Sequence, residues 1–590
     1  MAAAEEAQPR YALRAICLLI TLIVAKTITL VLLRDGVGWS RWFAIAYYWQ
    51  DVLAALLFFA ADRVIRRPLA AWIAYAALAV YAAVNVPIAA VVSSPLTPAL
   101  MRASGGALAD SIRHYFTLGN IVSLALPLLT AAVAPLLLRR WLTRVRPMAV
   151  WTATLAGVAI VCLGPAAMAR TETRGLHRNA IGALVETSVA RVAPADHAAD
   201  WRLSPFPGAA GGESLEHLAG VARGRNVVLI PLESTAARYL GLYGATPDPA
   251  PRLSALARNA LVFDRAYAVY PESIKGLFAT LCSRYPAFDT PPEVYAGAEC
   301  PSLPALLGAE GYATALFHSG RFDYLGMRAV IEGRGFNLLE DAGGIGGNVH
   351  SSFGVDETSA VKRMLAWIDA RPPQSKFFIT YMPIAAHHPY VTNGARPFPG
   401  TTDFDNYLNS IHEGDEAVGA LIDGLRDRGL DTNTLFVMFG DHGEGFGQHP
   451  ANFAHTLFIY EENVRVPLVI AAPGAIAGST RVPRLASVVD IAPTIGALLG
   501  LPTLDRQDGA SLLAPGARMA LFFTDYSLGW LGLADGCWKY LLEIDSNRSR
   551  LFDVCGDPDE KSDRSGDHPD RVRAYSDRVR KWAESVKSRF

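Results

Sequence analysis

Five apolar segments in the first third of the chain restrict its fold more than any other feature of the sequence. They lie at about 11–33, 42–62, 69–94, 118–138 and 148–168. Each is close to the roughly 20 residues that an α-helix needs to cross the hydrocarbon core of a bilayer. The first segment is too long, and too closely followed by others, to be a cleaved signal peptide. We therefore predict a five-helix transmembrane domain over residues 1–170.

The arginines between these segments predict how the helices are oriented. Nine lie on one side: Arg10 and Arg14 at the amino-terminal end of the first segment, Arg63, Arg66 and Arg67 after the second, and Arg139, Arg140, Arg144 and Arg146 after the fourth. The loops of the other side carry four, Arg34, Arg41, Arg102 and Arg113. The positive-inside rule then places the amino terminus in the cytoplasm and the protein in the inner or plasma membrane. Five crossings leave everything after about residue 170 on the periplasmic or extracellular side.

Two charged residues lie inside the apolar segments. Lys26 and Asp51 fall at similar distances from the outer ends of the first two helices. An isolated charge at the centre of a bilayer costs about 3 kcal/mol or more. We expect the two side chains to pair and to hold the two helices together; a role in handling substrate is the alternative.

The net charge and the positions of the cysteines indicate the expected partners and the redox environment of the chain after about residue 170. The formal net charge is −1, and no basic run interleaved with aromatic residues is present, so nucleic acid is not an expected partner. Cys282, Cys300, Cys537 and Cys555 lie in the part assigned outside, where disulfides persist. Four cysteines allow three pairings. Because each sequence-local pair closes a short loop, we expect Cys282–Cys300 and Cys537–Cys555.

From Asn226 onward, short apolar runs alternate with amphipathic helical patterns. The runs lie at 226–232, 260–264, 312–317, 376–382, 434–439 and 466–470, and the clearest helical pattern covers about 403–428. This alternation is typical of an α/β domain whose parallel or mixed sheet has helices on both faces. We assign it to residues 224–515. Residues 171–223 are expected to be a linker or neck outside the core, and residues 516–590 a small β/α subdomain that ends in a charged helix at about 568–588.

The stretch from Thr434 to His449 carries the clearest chemical signal. An unbroken apolar run stops at Gly440 and is followed by Asp441 and His442. Sheets with parallel strands place their chemistry in loops beyond the carboxyl ends of those strands, so this carboxylate and imidazole could bind a metal together. The following glycines, Gly443, Gly445 and Gly447, would let the backbone approach a ligand closely. A plain Asp-His-Gly turn after a core strand is the alternative.

Three further stretches place polar residues where burial alone would not favour them. Glu233 follows the run 226–232, His387 follows the run 376–382, and Ser273 stands where a helix N-cap is expected. A helix N-terminus favours an anionic group, and a serine hydroxyl beside a metal can attack phosphorus or sulfur. The ordinary role of a lone serine before a helix is a simple cap.

Taken in order, these motifs resemble those of the sulfatase/alkaline-phosphatase-like superfamily. They are Leu232-Glu233-Ser234-Thr235, Ser273 followed by Leu281-Cys282-Ser283-Arg284-Tyr285-Pro286, His387-His388-Pro389-Tyr390, Gly440-Asp441-His442-Gly443-Glu444, and Tyr460 to Pro467. Five spans followed by an outer domain with Leu-Glu-Ser-Thr are similar to the branch of lipoteichoic-acid synthases and phosphoglycerol transferases. The resemblance covers about residues 224–560, and its specificity comes from the ordered set rather than from any single motif. It implies an alkaline-phosphatase/sulfatase-like fold.

The resemblance implies one tightly held divalent ion and a serine nucleophile. The metal ligands would be Glu233, Asp441, His442 and Ser273, and Ser273 would also be the catalytic residue, where the transferase branch has threonine. Substrate would be bound by His387, His318 and, as a looser match, Arg328, and either His455 or His449 would lie near the metal or the leaving group. Carboxylate, imidazole and alkoxide ligands fit Mn²⁺ or Zn²⁺ better than Mg²⁺ or Ca²⁺. We expect Lys275 to bind a phosphate oxygen, with a surface lysine as the alternative.

One departure from the sulfatase pattern bears on the nucleophile. Formylglycine sulfatases carry Cys or Ser followed by x-Pro-x-Arg, whereas Ser273 is followed by Ile274-Lys275-Gly276. The modifying machinery of those enzymes should not recognise this sequence, so an aldehyde nucleophile is not expected. The acidic pairs that hold calcium in sulfatases are also missing, because Glu233 stands next to Ser234.

These features predict a membrane-anchored, extracytoplasmic phosphotransferase. It would move a phosphoglycerol or phosphoethanolamine headgroup from a phospholipid donor in the bilayer to a glycan or lipid acceptor of the envelope, through a phospho-serine intermediate. The second hypothesis is a hydrolase of phosphodiesters or sulfate esters, which would share the first half-reaction. A non-catalytic scaffold of the envelope is the third.

Overall fold

A bundle of long apolar helices forms the amino-terminal part of the protein. The computed structural model describes residues 8–65, 67–103, 109–142, 145, 147–197, 199–206, 213–516 and 518–590. Its first helices are α1 (Gln8–Leu32), α2 (Phe43–Val64), α3 (Pro68–Val92), α4 (Pro98–Ala103), α5 (Ala109–His114), α6 (Leu118–Leu142) and α7 (Pro147–Ala169). All except the short α4 and α5 are long and apolar enough to cross a membrane, which confirms the five predicted spans.

The predicted ion pair between α1 and α2 is present, and both of its side chains also bind the segment that follows α7. Lys26 Nζ lies 3.9 Å from Asp51 Oδ2. Lys26 also donates to the carbonyl oxygen of Leu176 at 3.2 Å, and Asn179 Nδ2 donates to Asp51 Oδ1 at 2.5 Å. The two charges therefore hold not only the two helices but also the chain that follows α7.

Described residues of the stretch 171–223, which includes the short helix α8 (Ala180–Glu186), pack into the protein instead of forming a detached neck. Trp201, Leu215 and Ala222 belong to the main hydrophobic core of the following domain. The expectation that this stretch lies outside the core is therefore wrong for these residues. An isolated tryptophan in an Ala-rich segment has no periodicity that would have predicted its burial.

The next domain is built on a nine-stranded mixed sheet. The strands of the sheet are β1 (Asn226–Leu232), β2 (Leu261–Tyr267), β3 (Ala313–His318), β4 (Leu338–Glu340), β7 (Phe377–Met382), β8 (Thr434–Gly440), β11 (Arg465–Val466), β12 (Leu468–Ala471) and β13 (Thr480–Ser487). Two separate pairs lie between them in the chain, β5 (Val349–Ser351) with β6 (Gly354–Val355), and β9 (Gly445–Phe446) with β10 (Phe453–Ala454). The sheet order is β11-β2-β12-β8-β1-β7-β3-β4, and β13 also pairs with β2. From β8 to β4 the strands run parallel, and β12 is antiparallel to β8 and β2. The apolar runs without alternation are thus central strands, because both faces of such strands are buried.

Helices cover both faces of this sheet, as predicted. They are α9 (Pro251–Leu256), α10 (Ser273–Cys282), α11 (Leu303–Ala309), α12 (Arg328–Ile331), α13 (Ala342–Ile345), α14 (Glu357–Asp369), α15 (Asp403–Asp427), α16 (Glu461–Val464) and α17 (Ile491–Leu499). One face packs against α10, α11 and α17, and the other against α9, α14 and α15. Along β1, Val227 and Leu229 enter the first core and Val228 and Ile230 the second.

A small antiparallel sheet and a terminal helix complete the chain. The strands β14 (Met519–Thr524), β15 (Trp530–Asp535), β16 (Trp538–Glu543) and β17 (Arg548–Asp553) pair in sequence order, and α18 (Pro569–Lys587) packs against them. Disulfides join Cys282 to Cys300 and Cys537 to Cys555, which confirms both predicted pairs. The fold class is confirmed, whereas the domain boundaries at 170, 223 and 515 stay predictions.

A buried group of charges joins the small sheet to the larger domain. Lys539 on β16 is fully buried, and its Nζ lies 3.1 Å from Glu461 Oε1 and 3.0 Å from Glu560 Oε1. Burial raises the pKa of Glu560 to about 7, although the Lys539 ammonium opposes that shift. The ammonium therefore compensates two carboxylates that the surrounding apolar side chains keep from water.

We expect Lys539→Met to lower the free energy of unfolding by roughly 3–5 kcal/mol, because it leaves two buried carboxylates without their cation. Chemical unfolding of the detergent-solubilised protein, followed by tryptophan fluorescence, measures this change. The matched control is Lys561→Met, since the Lys561 side chain is 72% exposed. Equal unfolding midpoints for the two variants would show that Lys539 does not stabilise the junction.

Candidate metal and nucleophile site

The two carboxylates of the site lie side by side because β1 and β8 end at the same level. Leu232 and Gly440 are register partners in this parallel pair, and the Asp441 N–H donates to the Leu232 carbonyl oxygen at 3.1 Å. Glu233 and Asp441, the next residue of each strand, are only 8% and 5% exposed. The sheet register therefore forces two acidic side chains into one buried place.

Backbone groups after β1 and β8 fix the orientation of these carboxylates. Ser234 has a φ of 50°, and in this conformation its N–H donates to Asp441 Oδ1 at 3.0 Å. The Tyr407 hydroxyl holds the Ser234 carbonyl oxygen at 2.7 Å. The N–H of His442 donates to the same Asp441 oxygen at 2.7 Å, which leaves Oδ2 free to face the rest of the site.

Helix α10 brings Ser273 to the carboxylates. Its N-cap is Glu272, whose side chain accepts from the Ile274 N–H at 2.9 Å. The prediction that Ser273 is the N-cap is therefore wrong by one residue. Since Glu272 caps the helix, the Ser273 hydroxyl is directed at the carboxylates, with Oγ 2.5 Å from Asp441 Oδ2 and 3.1 Å from Glu233 Oε2.

His442 completes the group with a nitrogen lone pair. Its Nδ1 lies 3.0 Å from the Gly443 carbonyl oxygen, which can only accept, so Nδ1 carries the proton. Nε2 then presents its lone pair, 3.6 Å from both Glu233 Oε1 and Asp441 Oδ2. Burial lowers the pKa of His442 and keeps the ring neutral.

This donor set fits a single divalent cation. A hydroxyl has one proton, so Ser273 cannot donate to two carboxylates at once. Burial and the neighbouring Asp441 raise the pKa of Glu233 well above its usual value, which is the sign of negative charge lacking a counter-ion. One ligand atom each from Glu233, Asp441 and His442 lies within 4.8 Å of the others. A cation among them would satisfy both carboxylates and the imidazole.

The glycines after Asp441 are needed for packing against the protein itself. A Cβ on Gly443 would lie 2.1 Å from the Glu462 carbonyl oxygen, and one on Gly445 would lie 3.0 Å from the Ala454 carbonyl oxygen. The close backbone approach predicted for this loop is present, but its partner is the segment that follows rather than a ligand. Gly447 has a φ of +87°, which its lack of a side chain permits.

Of the two candidate histidines, the structure places His455 beside the site. Its ring centroid lies 4.2 Å from that of His442, and its Nδ1 lies 2.8 Å from Glu444 Oε2. Burial opposes the charged form of His455, but Glu444 outweighs it and raises the pKa. His449 instead lies 2.7 Å from Glu462 and stacks on Tyr460, next to the charges around Lys539.

The other two predicted substrate histidines are buried and neutral. His387 lies against Phe353, at 3.8 Å between ring centroids, and burial lowers its pKa to about 3. His318 Nδ1 lies 3.0 Å from the Met382 carbonyl oxygen, and burial lowers its pKa as well. Both can act as hydrogen-bonding groups at neutral pH, and their contact with substrate stays a prediction.

The two predicted cations differ in how they relate to the site. Lys275 is 5% exposed and forms an ion pair with Asp525 at 2.6 Å, so the alternative of a surface lysine is wrong. The Arg328 side chain is 48% exposed and pairs with Asp323 and Glu332. In the described part of the chain, none of the contacts of Arg328 is with the group around Ser273, so the looser match does not bring it there.

Loops around the site also contact the segments that connect the long helices of the bundle. The Tyr115 ring, directly after α5, stacks on His388 at 5.2 Å, and His114 Nε2 lies 3.5 Å from Asp403 Oδ1. Gly36, after α1, lies against Ala451. Tyr115, Glu272 and Glu444 were not among the predicted site residues, and the only signal for Tyr115 is an aromatic residue in a loop between two spans.

The chain is similar to several known proteins. Residues 225–501 match the Sulfatase family. The chain is 26% identical over 324 residues to lipoteichoic acid synthase 2 of Bacillus subtilis, covering 52% of this chain and 49% of that protein. It is 27% identical over 236 residues to Arylsulfatase K of Xenopus laevis, covering 35% and 44%. The chain thus spans about half the length of the curated relatives it matches.

Among solved structures, the lipoteichoic acid synthase LtaP from Listeria monocytogenes is similar in fold. The TM-score is 0.51 and the identity 18%, over 63% of this chain and 93% of that one. A similarity at this identity shows the fold alone.

We expect Glu233→Ala and Asp441→Ala each to abolish tight binding of a divalent ion, because each removes a ligand and leaves the other carboxylate unpaired. Elemental analysis of the full chain, purified without chelators, should find about one equivalent of metal in the unsubstituted protein and little in the variants. Glu310→Ala, at an exposed position outside the site, should keep the ion. Equal metal content in all four proteins would place the ion elsewhere.

Proposed function

The chain is a member of the sulfatase/alkaline-phosphatase-like superfamily and resembles the lipoteichoic acid synthases, and we propose that it transfers a phospholipid headgroup to an envelope acceptor. It is an enzyme of the sulfatase, phosphotransferase or hydrolase type. The transferred group would be phosphoglycerol or phosphoethanolamine. The observation that carries the proposal is a serine hydroxyl held between two buried carboxylates, in a site whose loops contact a membrane bundle.

The contacts with the bundle explain why a phospholipid donor suits this site. His388 and Ala451, from two loops around the site, lie against residues that follow α5 and α1. The reactive hydroxyl is thereby held at the outer end of the bundle, where a donor can reach it by diffusion in the plane of the membrane. The asymmetry of arginines supports an extracytoplasmic position for this domain.

Enzymes of this superfamily generally use a divalent metal, and the group around Ser273 fits one. Glu233, Asp441, His442 and Ser273 would hold it. We propose Mn²⁺ or Zn²⁺, because a nitrogen ligand suits these ions better than Ca²⁺ or Mg²⁺. When bound, the ion lowers the pKa of the serine hydroxyl and stabilises negative charge on the phosphoryl oxygens.

The residues of the chain then carry a two-step transfer. Ser273 gives its hydroxyl proton to water, Oγ attacks phosphorus, and the bond to the diglyceride oxygen breaks. His455, which lies against His442 and is hydrogen-bonded to Glu444, gives the leaving alcohol a proton. The headgroup phosphate remains on Ser273 as a diester. In the second step an acceptor hydroxyl attacks phosphorus and gives its proton to His455, while the bond between phosphorus and Ser273 Oγ breaks and Oγ takes a proton from water.

Hydrolysis is the second candidate, and the Arylsulfatase K relatives favour it. Water would replace the acceptor in the second step, so the same four residues would serve both reactions. A sulfate ester is a less suitable substrate, because Ser273 lies outside the pattern that yields formylglycine in sulfatases. A comparison of phosphatidylglycerol with an aryl sulfate, on the same preparation, distinguishes the two substrate classes.

We expect Ser273→Ala to lower the release of diglyceride by about a thousandfold or more, because the variant lacks the attacking oxygen. The full chain in nanodiscs containing fluorescent phosphatidylglycerol or phosphatidylethanolamine provides the assay. A quenched sample of the unsubstituted protein should contain phosphorylated Ser273 by mass spectrometry. Ser562→Ala, at an exposed loop position, is the matched control and should keep full activity. A formylglycine at position 273, or undiminished release by Ser273→Ala, would rule out this mechanism.

The contact between bundle and site generates a separate prediction. Tyr115→Ala should lower turnover of a bilayer donor by about two- to tenfold, the range expected from loss of one aromatic contact. Turnover of a soluble diester such as bis(p-nitrophenyl) phosphate should change much less, because the metal ligands are untouched. An equal loss with both substrates would mean that Tyr115 supports the site itself rather than its position at the membrane.

A further inference from the structure

A cavity of about 800 Å³ lies between the helical bundle and the catalytic domain. Pro98 and Arg102 of α4 form part of its wall on the bundle side, and Glu293, Leu325 and Tyr526 form part of the opposite wall. The volume is several times that of the small gaps found inside protein cores, so it can hold a ligand of substrate size. Neither the metal ligands nor the substrate histidines line it.

The cavity borders the first turn of the nucleophile helix. Glu272, which directly precedes Ser273, and Lys275, two residues after it, both line the wall. Glu272 is the N-cap of α10, so its position relative to Ser273 is fixed by the helix. A molecule in this cavity would therefore lie beside the residue that we propose carries the phosphate.

The lysine of this wall is already neutralised by an aspartate, so it offers no surplus positive charge to an anionic ligand. Lys275 Nζ lies 2.6 Å from Asp525 Oδ2, and both side chains are about 6% exposed. Asp525 is itself held by the Tyr270 hydroxyl at 2.6 Å and by the Asp289 N–H at 2.6 Å. Breaking this ion pair to bind a phosphate would leave the Asp525 carboxylate buried without its cation, which is costly.

Apart from the Lys275–Asp525 pair, the residues that line the cavity include more carboxyl groups than cations. Asp289 and Asp323 line the wall and are paired with Arg191 and Arg328, which stand behind it. Arg102 then shares the cavity with the carboxyl groups of Glu272 and Glu293. Among the described residues, the wall thus has no positive excess.

This chemistry excludes two of three ligand classes. A polyanion such as a chain of glycerol phosphates needs uncompensated cations, which the wall does not supply. Acyl chains would cover carboxylates with hydrocarbon and remove them from water, which costs free energy. Hydroxyl groups, in contrast, donate hydrogen bonds to carboxylates, and Tyr526, which also lines the cavity, adds an aromatic side chain to the wall.

We propose that this cavity binds the acceptor and that the acceptor is an uncharged, hydroxyl-rich molecule, namely a saccharide. This inference rests on the proposed transferase function and names its second substrate. A saccharide hydroxyl oxygen forms a new bond to phosphorus and gives its proton to His455, while the phosphorus–Oγ bond of Ser273 breaks and Oγ takes a proton from water. No oxidant or further reactant is needed.

The test compares acceptors with the full chain in nanodiscs that contain fluorescent phosphatidylglycerol. The acceptors are uncharged oligosaccharides (maltoheptaose and laminariheptaose) and an oligomer of glycerol phosphate, at equal hydroxyl concentration. Two quantities are measured, the diglyceride released and the headgroup transferred to each acceptor. We expect the ratio of transfer to release to be at least about tenfold higher with an oligosaccharide than with the oligomer, a preference of the size that unpaired polar groups produce.

Two cavity variants and one control separate this role from a structural one. Tyr526→Ala should lower the transfer ratio for the oligosaccharide by about tenfold, and Glu293→Lys should shift preference toward the oligomer, because it adds a cation to the wall. Glu310→Lys makes the same charge change at an exposed position outside the cavity and should leave the ratio as it is.

The outcomes distinguish the two proposals. Preference of the unsubstituted protein for the oligomer, headgroup passing only to water, or equal losses of release and transfer in the cavity variants would overturn the acceptor assignment alone. Absence of any diglyceride release would overturn the proposed function and the acceptor assignment together.

Discussion

The enforced proximity of two buried carboxylates determines the arrangement of the rest of this site. Glu233 and Asp441 follow neighbouring parallel strands that end in register, so neither can withdraw without breaking the central pair of the sheet. The N–H groups of Ser234 and His442 satisfy one oxygen of Asp441, and the Ser234 hydroxyl donates to one oxygen of Glu233 at 2.9 Å. The other oxygen of each carboxylate faces Ser273. A cation bound here would relieve the repulsion between the two carboxylates only in the folded state, and its binding would therefore also stabilise the fold. Metal affinity and folding stability would then be coupled through the register of β1 and β8.

Much of this arrangement can be predicted from the sequence because the relevant strands are buried on both faces. Runs such as 226–232 and 434–439 have no alternation, and such runs are typical of central parallel strands. The rule that chemistry follows the carboxyl ends of these strands then indicates Glu233 and Asp441 from the amino-acid order alone. His442 directly follows Asp441 and is indicated with it, and Ser273 stands where a helix is expected to begin. The family resemblance adds their specific roles as metal ligand and nucleophile. The disulfides follow from four cysteines in two local pairs.

Contacts between residues far apart in the chain could not be predicted in this way. Lys275 forms an ion pair with Asp525, 250 positions away in the chain, and Tyr115 stacks on His388. The sequence around these residues shows no pattern that predicts either contact. The burial of Trp201 was missed for the same reason, since its partners in the core, such as Tyr285, come from other segments. The predicted N-cap is wrong by one residue because a glutamate is an uncommon cap. Since Glu272 caps the helix, the Ser273 hydroxyl is available to the candidate metal site. Errors of this kind arise where tertiary contacts override local preference.

The loop between β14 and β15 connects the membrane bundle to the nucleophile helix. Asp525 in this loop binds Lys275 on α10, while Tyr526 accepts a hydrogen bond from Thr97 at 3.0 Å and Ser527 accepts one from Arg178 at 2.8 Å. Thr97 lies just before α4 and Arg178 follows α7, so the loop contacts the helical bundle through both residues. Because each contact is short and buried, the first turn of α10 has a fixed position relative to the bundle. The small carboxyl-terminal sheet thus contributes to the positioning of Ser273, although it supplies none of the proposed metal ligands.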